Sequence, residues 1–133
     1  MLSKPAFLLI EDNLIDQLVI KQLLKKILSV DEIYIANNGQ EGLYWLENNK
    51  GISKPLFIIL DIQMPFMNGF DFLDAYDKLD EDIKKENQIY VLSSTLDSDE
   101  ISLINENKYV TKMLNKPFPI EEFKKTLYPE DEN

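Results

Sequence analysis

Three carboxylates stand at the ends of two apolar runs. Asp61 closes Leu56-Phe57-Ile58-Ile59-Leu60, and Glu11-Asp12 close Phe7-Leu8-Leu9-Ile10. Desolvating acids in this way is costly unless a cation or a reaction offsets it. Acids delivered to the ends of two core strands suit magnesium, which takes oxygen ligands and keeps several waters. Asp12 and Asp61 are candidates for direct ligation, and Glu11 for direct or water-mediated ligation. The backbone carbonyl of Gln63 can add another oxygen. Asp61 is also the candidate nucleophile, because a carboxylate can attack phosphorus and form an acyl phosphate. Such a transfer depends mainly on positioning and charge neutralisation. Lys116, directly before Pro117, can supply positive charge. Ser93 and Ser94, after Tyr90-Val91-Leu92, can supply hydroxyl donors.

The elements that must carry these groups are legible as alternating patterns. Strand-length apolar runs cover 7–10, 32–36, 56–60, 88–92 and 109–114. The first, third and fourth are nearly all apolar, as strands buried on both faces of a parallel sheet are. Ile15, Leu18, Val19, Leu23 and Ile27 recur on one face of a first helix. Gly42, Leu43 and Leu46 mark a second helix, and Phe70, Leu73 and Tyr76 a third. Ser98 or Asp99 caps a fourth helix that reaches about Asn107, and Ile120, Phe123 and Leu127 mark a fifth, stopped near Pro129. Asp12 or Asn13 caps the first. Ser53-Lys54-Pro55 reads as a turn, and 80–87 as a charged connection. Five β-α units in this order predict an open α/β sandwich with right-handed crossovers. Ligands of such sheets bind beyond the carboxyl ends of the strands, where the strand order reverses. The acids sit at that edge.

Composition narrows the chemistry further. The chain of 133 residues fits a single domain, with a core over about 5–128 and an acidic tail at 129–133. It contains no cysteine and no histidine, so any imidazole chemistry has to come from a partner. Every basic residue is lysine, and the net charge is −10. Direct nucleic-acid binding, which needs basic side chains against phosphates, is therefore not expected. No apolar stretch approaches the roughly 18 residues of a membrane span. No signal peptide is visible either, so a cytoplasmic location without membrane insertion is expected.

Taken in order, these residues spell a pattern. The acidic pair Glu11-Asp12, the loop Asp61-x-x-Met64-Pro65-x-Met67-x-Gly69, Ser93 after strand four, and Lys116-Pro117-Phe118 resemble the receiver domain of two-component response regulators. The resemblance covers nearly the whole chain. It implies the flavodoxin-like three-layer α/β/α receiver fold, with a parallel sheet of strand order 2-1-3-4-5. It also implies that Asp61 is the phosphoacceptor and that Glu11, Asp12, Asp61 and the Gln63 carbonyl hold Mg2+. Ser93 would swing to the phosphoryl group, and Lys116 would pair with it. A cis Lys116–Pro117 bond is expected. The upstream partner would be a sensor histidine kinase or a histidine phosphotransfer protein. The output would be another protein, bound by the surface of the fourth helix, fifth strand and fifth helix, because a stand-alone chain of this length leaves no room for an effector domain. Such a chain catalyses its own phosphorylation and dephosphorylation, but it is a switch first.

Three positions depart from the commoner pattern. Glu11 replaces Asp, Ser93 replaces Thr, and Met113 stands where many receivers carry a rotating Tyr or Phe. The aromatic's role would pass to Met113 or to Tyr109. Four other readings compete. A relay intermediate would pass the phosphoryl group on, and a degenerate receiver would only dock, which the complete acid, hydroxyl and lysine set argues against. A haloacid-dehalogenase-type phosphatase needs a second acid where Gln63 stands. A flavodoxin-like flavin binder would have its phosphate repelled by Glu11 and Asp12.

Overall fold

Nearly continuous apolar runs form strands with helices on both sides. The computed structural model describes residues 5–50 and 55–129. The turn expected at Ser53-Lys54 and the tail beyond residue 129 lie outside those residues. The strands are β1 (Ala6–Ile10), β2 (Ile33–Ala36), β3 (Leu56–Asp61), β4 (Asn87–Ser93) and β5 (Val110–Asn115). All pairings are parallel, in the order β2-β1-β3-β4-β5. This is the flavodoxin-like receiver order that the resemblance implies.

Successive strand residues point to opposite faces, and the core divides accordingly. Leu8, Ile10, Ile58, Leu60 and Val91 pack with α2 (Gly39–Asn48), α3 (Gly69–Asp77) and α5 (Ser98–Glu106). Phe7, Leu9, Phe57, Ile59 and Tyr90 pack with α1 (Leu14–Leu28) and α6 (Ile120–Leu127). On that second face Phe123 lies edge-on to Tyr90, with ring centroids 4.9 Å apart. Both sides of the sheet are thus closed, and only its ends remain open to a ligand.

Three local expectations need correction. The connection 80–87 contains a one-turn helix, α4 (Glu81–Lys84), because Ile83 is buried and anchors it. The fourth and fifth helices of the sequence pattern are therefore α5 and α6. Helix α5 is capped by Asp97, whose carboxylate accepts from the Asp99 and Glu100 amides, and not by Ser98 or Asp99. Most important, the apolar face of α1 read from the sequence is turned outward. Ile15, Leu18, Val19 and Ile27 are exposed, and only Leu23 is half-buried. The buried positions are Gln17, Ile20 and Leu24. Gln17 decides the rotation of the helix. Its amide donates to the Glu11 carbonyl at 2.6 Å and to Asn37 Oδ1 at 2.8 Å, bonds that exist only with Gln17 facing the sheet.

Candidate functional site

The parallel order brings the ends of β1 and β3 side by side, because Ile10 pairs with Leu60. The next residues are Glu11 and Asp61, so both acids leave the sheet at the same edge. Ligand oxygens of Glu11, Asp12 and Asp61 all lie within 4.8 Å of one another. Asp12 is exposed, whereas Glu11 and Asp61 are only 1% and 2% exposed. The three acids expected to share a site therefore do so.

Backbone amides hold the two buried acids. Glu11 Oε2 accepts from the Asn13 amide at 3.1 Å, and Asn13 caps α1 by accepting from Asp16. Asp61 Oδ1 accepts from the Gln63 amide at 2.9 Å. Past Gln63, the loop is closed by the Gly69 amide, which donates to the Ile62 carbonyl at 3.0 Å. A Cβ on Gly69 would come within 2.7 Å of the Ile62 Cα, so only glycine permits this approach. Asn68 and Asp71 then form a capping box that starts α3.

Lys116 arrives from β5. Its Nζ lies 2.9 Å from Asp61 Oδ1, and its backbone amide donates to the Ser93 carbonyl at 3.0 Å. The Lys116–Pro117 bond is cis. Ser93 is wholly buried at the end of β4, and its hydroxyl oxygen accepts from the Thr95 amide at 3.0 Å. Ser94 turns the other way, and its hydroxyl donates to the Gln63 side-chain carbonyl at 2.9 Å, linking the loops after β3 and β4.

The electrostatics are those of a cation site. Burial is the main cause that pushes the Glu11 carboxyl up to about 8, opposed by the Asn13 amide and reinforced by the neighbouring Asp61 charge. Glu11 Oε1 is buried and has no hydrogen-bond partner among the described residues. An orphaned carboxylate oxygen facing two further acids fits a divalent ion, which would satisfy it and displace its proton.

Met113 and Tyr109 part company. Met113 pairs with Val91 and packs on the α5 face of the sheet. Ser93, two residues beyond Val91, is on that same face. Tyr109 lies at the opposite end of β5, where its hydroxyl donates to Asp77 at the end of α3 and accepts from Lys84 at 3.2 Å. The chain reaches the Asp61 edge only after β5 has run its length, so Tyr109 stands a strand's length from Lys116 and Asp61.

Some contributors were not anticipated. Gln17 and Asn37 brace the Glu11 backbone, and nothing in an apolar periodicity marks an inward glutamine. Thr95 Oγ1 donates to Glu100 at 2.6 Å and accepts from the Asp97 amide at 3.1 Å, tying the loop after Ser93 to the start of α5. The signal for that link was the Thr-x-Asp spacing ahead of a helix.

Comparison with known proteins agrees with this geometry. The family model for the response regulator receiver domain matches residues 7–128. The "Probable C4-dicarboxylate response regulator DctR" of Bacillus subtilis is 32% identical over 120 residues, covering 90% of this chain and 49% of that protein. The chain thus spans about half the length of that relative. A response regulator receiver protein from Dyadobacter fermentans superposes with a TM-score of 0.84 at 26% identity, over 94% of this chain and 96% of that one. The receiver domain of sensor histidine kinase PA1611 from Pseudomonas aeruginosa, with magnesium coordinated in its active-site cleft, shares the fold. Its TM-score is 0.74 at 21% identity, covering 96% of this chain and 97% of that one.

Proposed function

We propose that this chain, which belongs to the response regulator receiver domain family, is a phosphoacceptor and that Asp61 is its acceptor residue. The observation that carries this reading is the Lys116 ammonium 2.9 Å from Asp61, on the same rim as the three-acid cluster. In the proposed transfer, an Asp61 carboxylate oxygen attacks the phosphorus of a partner's phosphohistidine. The P–N bond breaks, its electron pair leaves with the imidazole, and an acyl phosphate remains on Asp61. With Oδ1 held by Lys116 and the Gln63 amide, Oδ2 is the oxygen assigned to attack.

Receiver domains bind magnesium in their active site, and Glu11, Asp12, Asp61 and the Gln63 carbonyl are the proposed ligands here. The orphaned Glu11 Oε1 supports that assignment. When bound, the ion neutralises charge on the transferring group. Lys116 neutralises the rest, and Ser93, its hydroxyl hydrogen free to turn, donates to a phosphoryl oxygen.

Family membership also implies a histidine kinase or histidine phosphotransfer partner upstream. The proposed output surface is α5, β5 and α6. When Ser93 turns toward the phosphoryl group it gives up the Thr95 amide, and Thr95 in turn holds Glu100 at the start of α5. Phosphorylation then shifts the population between two arrangements of that loop. Met113, on the α5 side of β5, has the position to follow it. No described helix is long and apolar enough to cross a membrane. A cytoplasmic setting belongs to the same reading.

The test is intact mass after incubation with magnesium and acetyl phosphate. The mass should rise by one phosphoryl unit, and Asp61→Asn should abolish the rise. Undiminished labelling of that variant would overturn the assignment.

A further inference from the structure

Phe66 and Leu96 are the most exposed large apolar residues among those described, at 98% and 95%. Both sit on loops at the reacting edge. Phe66 follows Asp61 in the connection from β3 to α3, and Leu96 follows Ser93 in the connection from β4 to α5. β3 and β4 are hydrogen-bonded neighbours, and the Ser94–Gln63 bond ties the two loops together.

Phe66 also has a φ of 67°, in the left-handed region that bulky side chains rarely adopt. Asn or Gly would occupy that conformation with less strain. The residue therefore combines backbone strain with an aromatic ring left in water. With the ring 98% exposed, no described residue offers it packing that offsets either cost. Strain and apolar exposure held together at a reacting edge point to a surface completed by another molecule.

The location identifies that molecule. Asp61 is 2% exposed, so the acceptor oxygen is recessed behind the loop tips. The chain has no histidine, so the phosphorylated imidazole must be brought in by its carrier. A macromolecule that lowers an imidazole to Asp61 has to cover the loops on which Phe66 and Leu96 stand. Resting on the phosphoacceptor reading above, we propose that Phe66 and Leu96 are a pair of apolar anchors for the phosphohistidine-bearing protein, packing against an apolar helical face beside its histidine. They bind the carrier and take no part in the transfer itself.

The experiment compares two donors on the full chain and on Phe66→Asn and Leu96→Ser. One donor is acetyl phosphate. The other is a histidine phosphotransfer domain chosen because its phosphohistidine form labels the unaltered chain. Labelling by acetyl phosphate should stay within about twofold in both variants, while transfer from the protein donor should slow by about tenfold through a raised KM. Phe66→Asn should at the same time raise the thermal midpoint by about 3 °C, because the strain is relieved. Unchanged transfer from the protein donor in both variants would overturn the proposal. So would a lower midpoint for Phe66→Asn. A concentration-dependent dimer of the unaltered chain that is lost in Phe66→Asn, with donor transfer unaffected, would assign the pair to a second copy instead. Failure of acetyl phosphate to label the unaltered chain would remove the phosphoacceptor reading itself, and the proposal with it.

Discussion

Replacing Lys116 with methionine removes the ammonium and keeps most of the stem. At 2.9 Å and an effective dielectric near 20, the attraction to Asp61 is about 6 kcal/mol before desolvation. Asp61 is 2% exposed but the Lys116 side chain is 25% exposed, so solvent screens the pair in part. Its net value therefore falls between that of a surface pair and that of a fully buried one, at roughly 2 kcal/mol. For a domain of this size that corresponds to a fall of about 6 °C in thermal midpoint. The assay is thermal unfolding at pH 7 in chelator for the parent, Lys116→Met, Asp61→Asn and the double variant. Under those conditions Glu11, pushed up to about 8, holds its proton and adds little repulsion. The double-mutant cycle should return a coupling of about 2 kcal/mol. Additivity within about 0.5 kcal/mol would refute the idea that the lysine and the acceptor form one electrostatic unit. Lys116→Met should still accept some phosphoryl group from acetyl phosphate. Its partner binding should no longer respond to phosphorylation.

Other expectations follow from the same geometry. Magnesium affinity should rise as pH increases toward 8, with proton release detected by calorimetry in buffers of different ionisation enthalpy, and Glu11→Gln should flatten that profile. Without metal, the folded chain holds the Glu11 proton between about pH 4.5 and 8 while the unfolded chain has lost it. The Glu11 contribution to stability should therefore decline as pH rises through that window, as denaturant midpoints at several pH values would reveal. Gly69→Ala forces a Cβ to 2.7 Å from the Ile62 Cα, so it should cost about 1–3 kcal/mol and slow acetyl phosphate labelling by shifting the backbone next to Asp61. Asn68→Ala removes the cap of α3 and should lower stability by about 1 kcal/mol in urea unfolding, with labelling of Asp61 retained.

The sequence by itself determined the strands, their parallel arrangement and the gathering of Glu11, Asp12 and Asp61 at one edge. Apolar runs of strand length admit few alternatives, and an acid that ends a buried strand must emerge where that strand emerges. The loop from Met64-Pro65 to Gly69 behind Asp61 was equally local, and so it was readable, whereas the capping box of Asn68 and Asp71 that starts α3 was not read. Only the tertiary structure decided which face of α1 is buried. That helix carries apolar residues on more than one side, and two hydrogen bonds from Gln17, one to the Glu11 carbonyl and one to Asn37 in the neighbouring loop, broke the tie. Tertiary structure also separated Met113 from Tyr109, which share a face of the sheet but stand toward opposite ends of β5, so that only Met113 lies near the Ser93 end. The 2.9 Å approach of Lys116 to Asp61 likewise depends on strands 55 residues apart in the chain, and no local pattern can set such a distance.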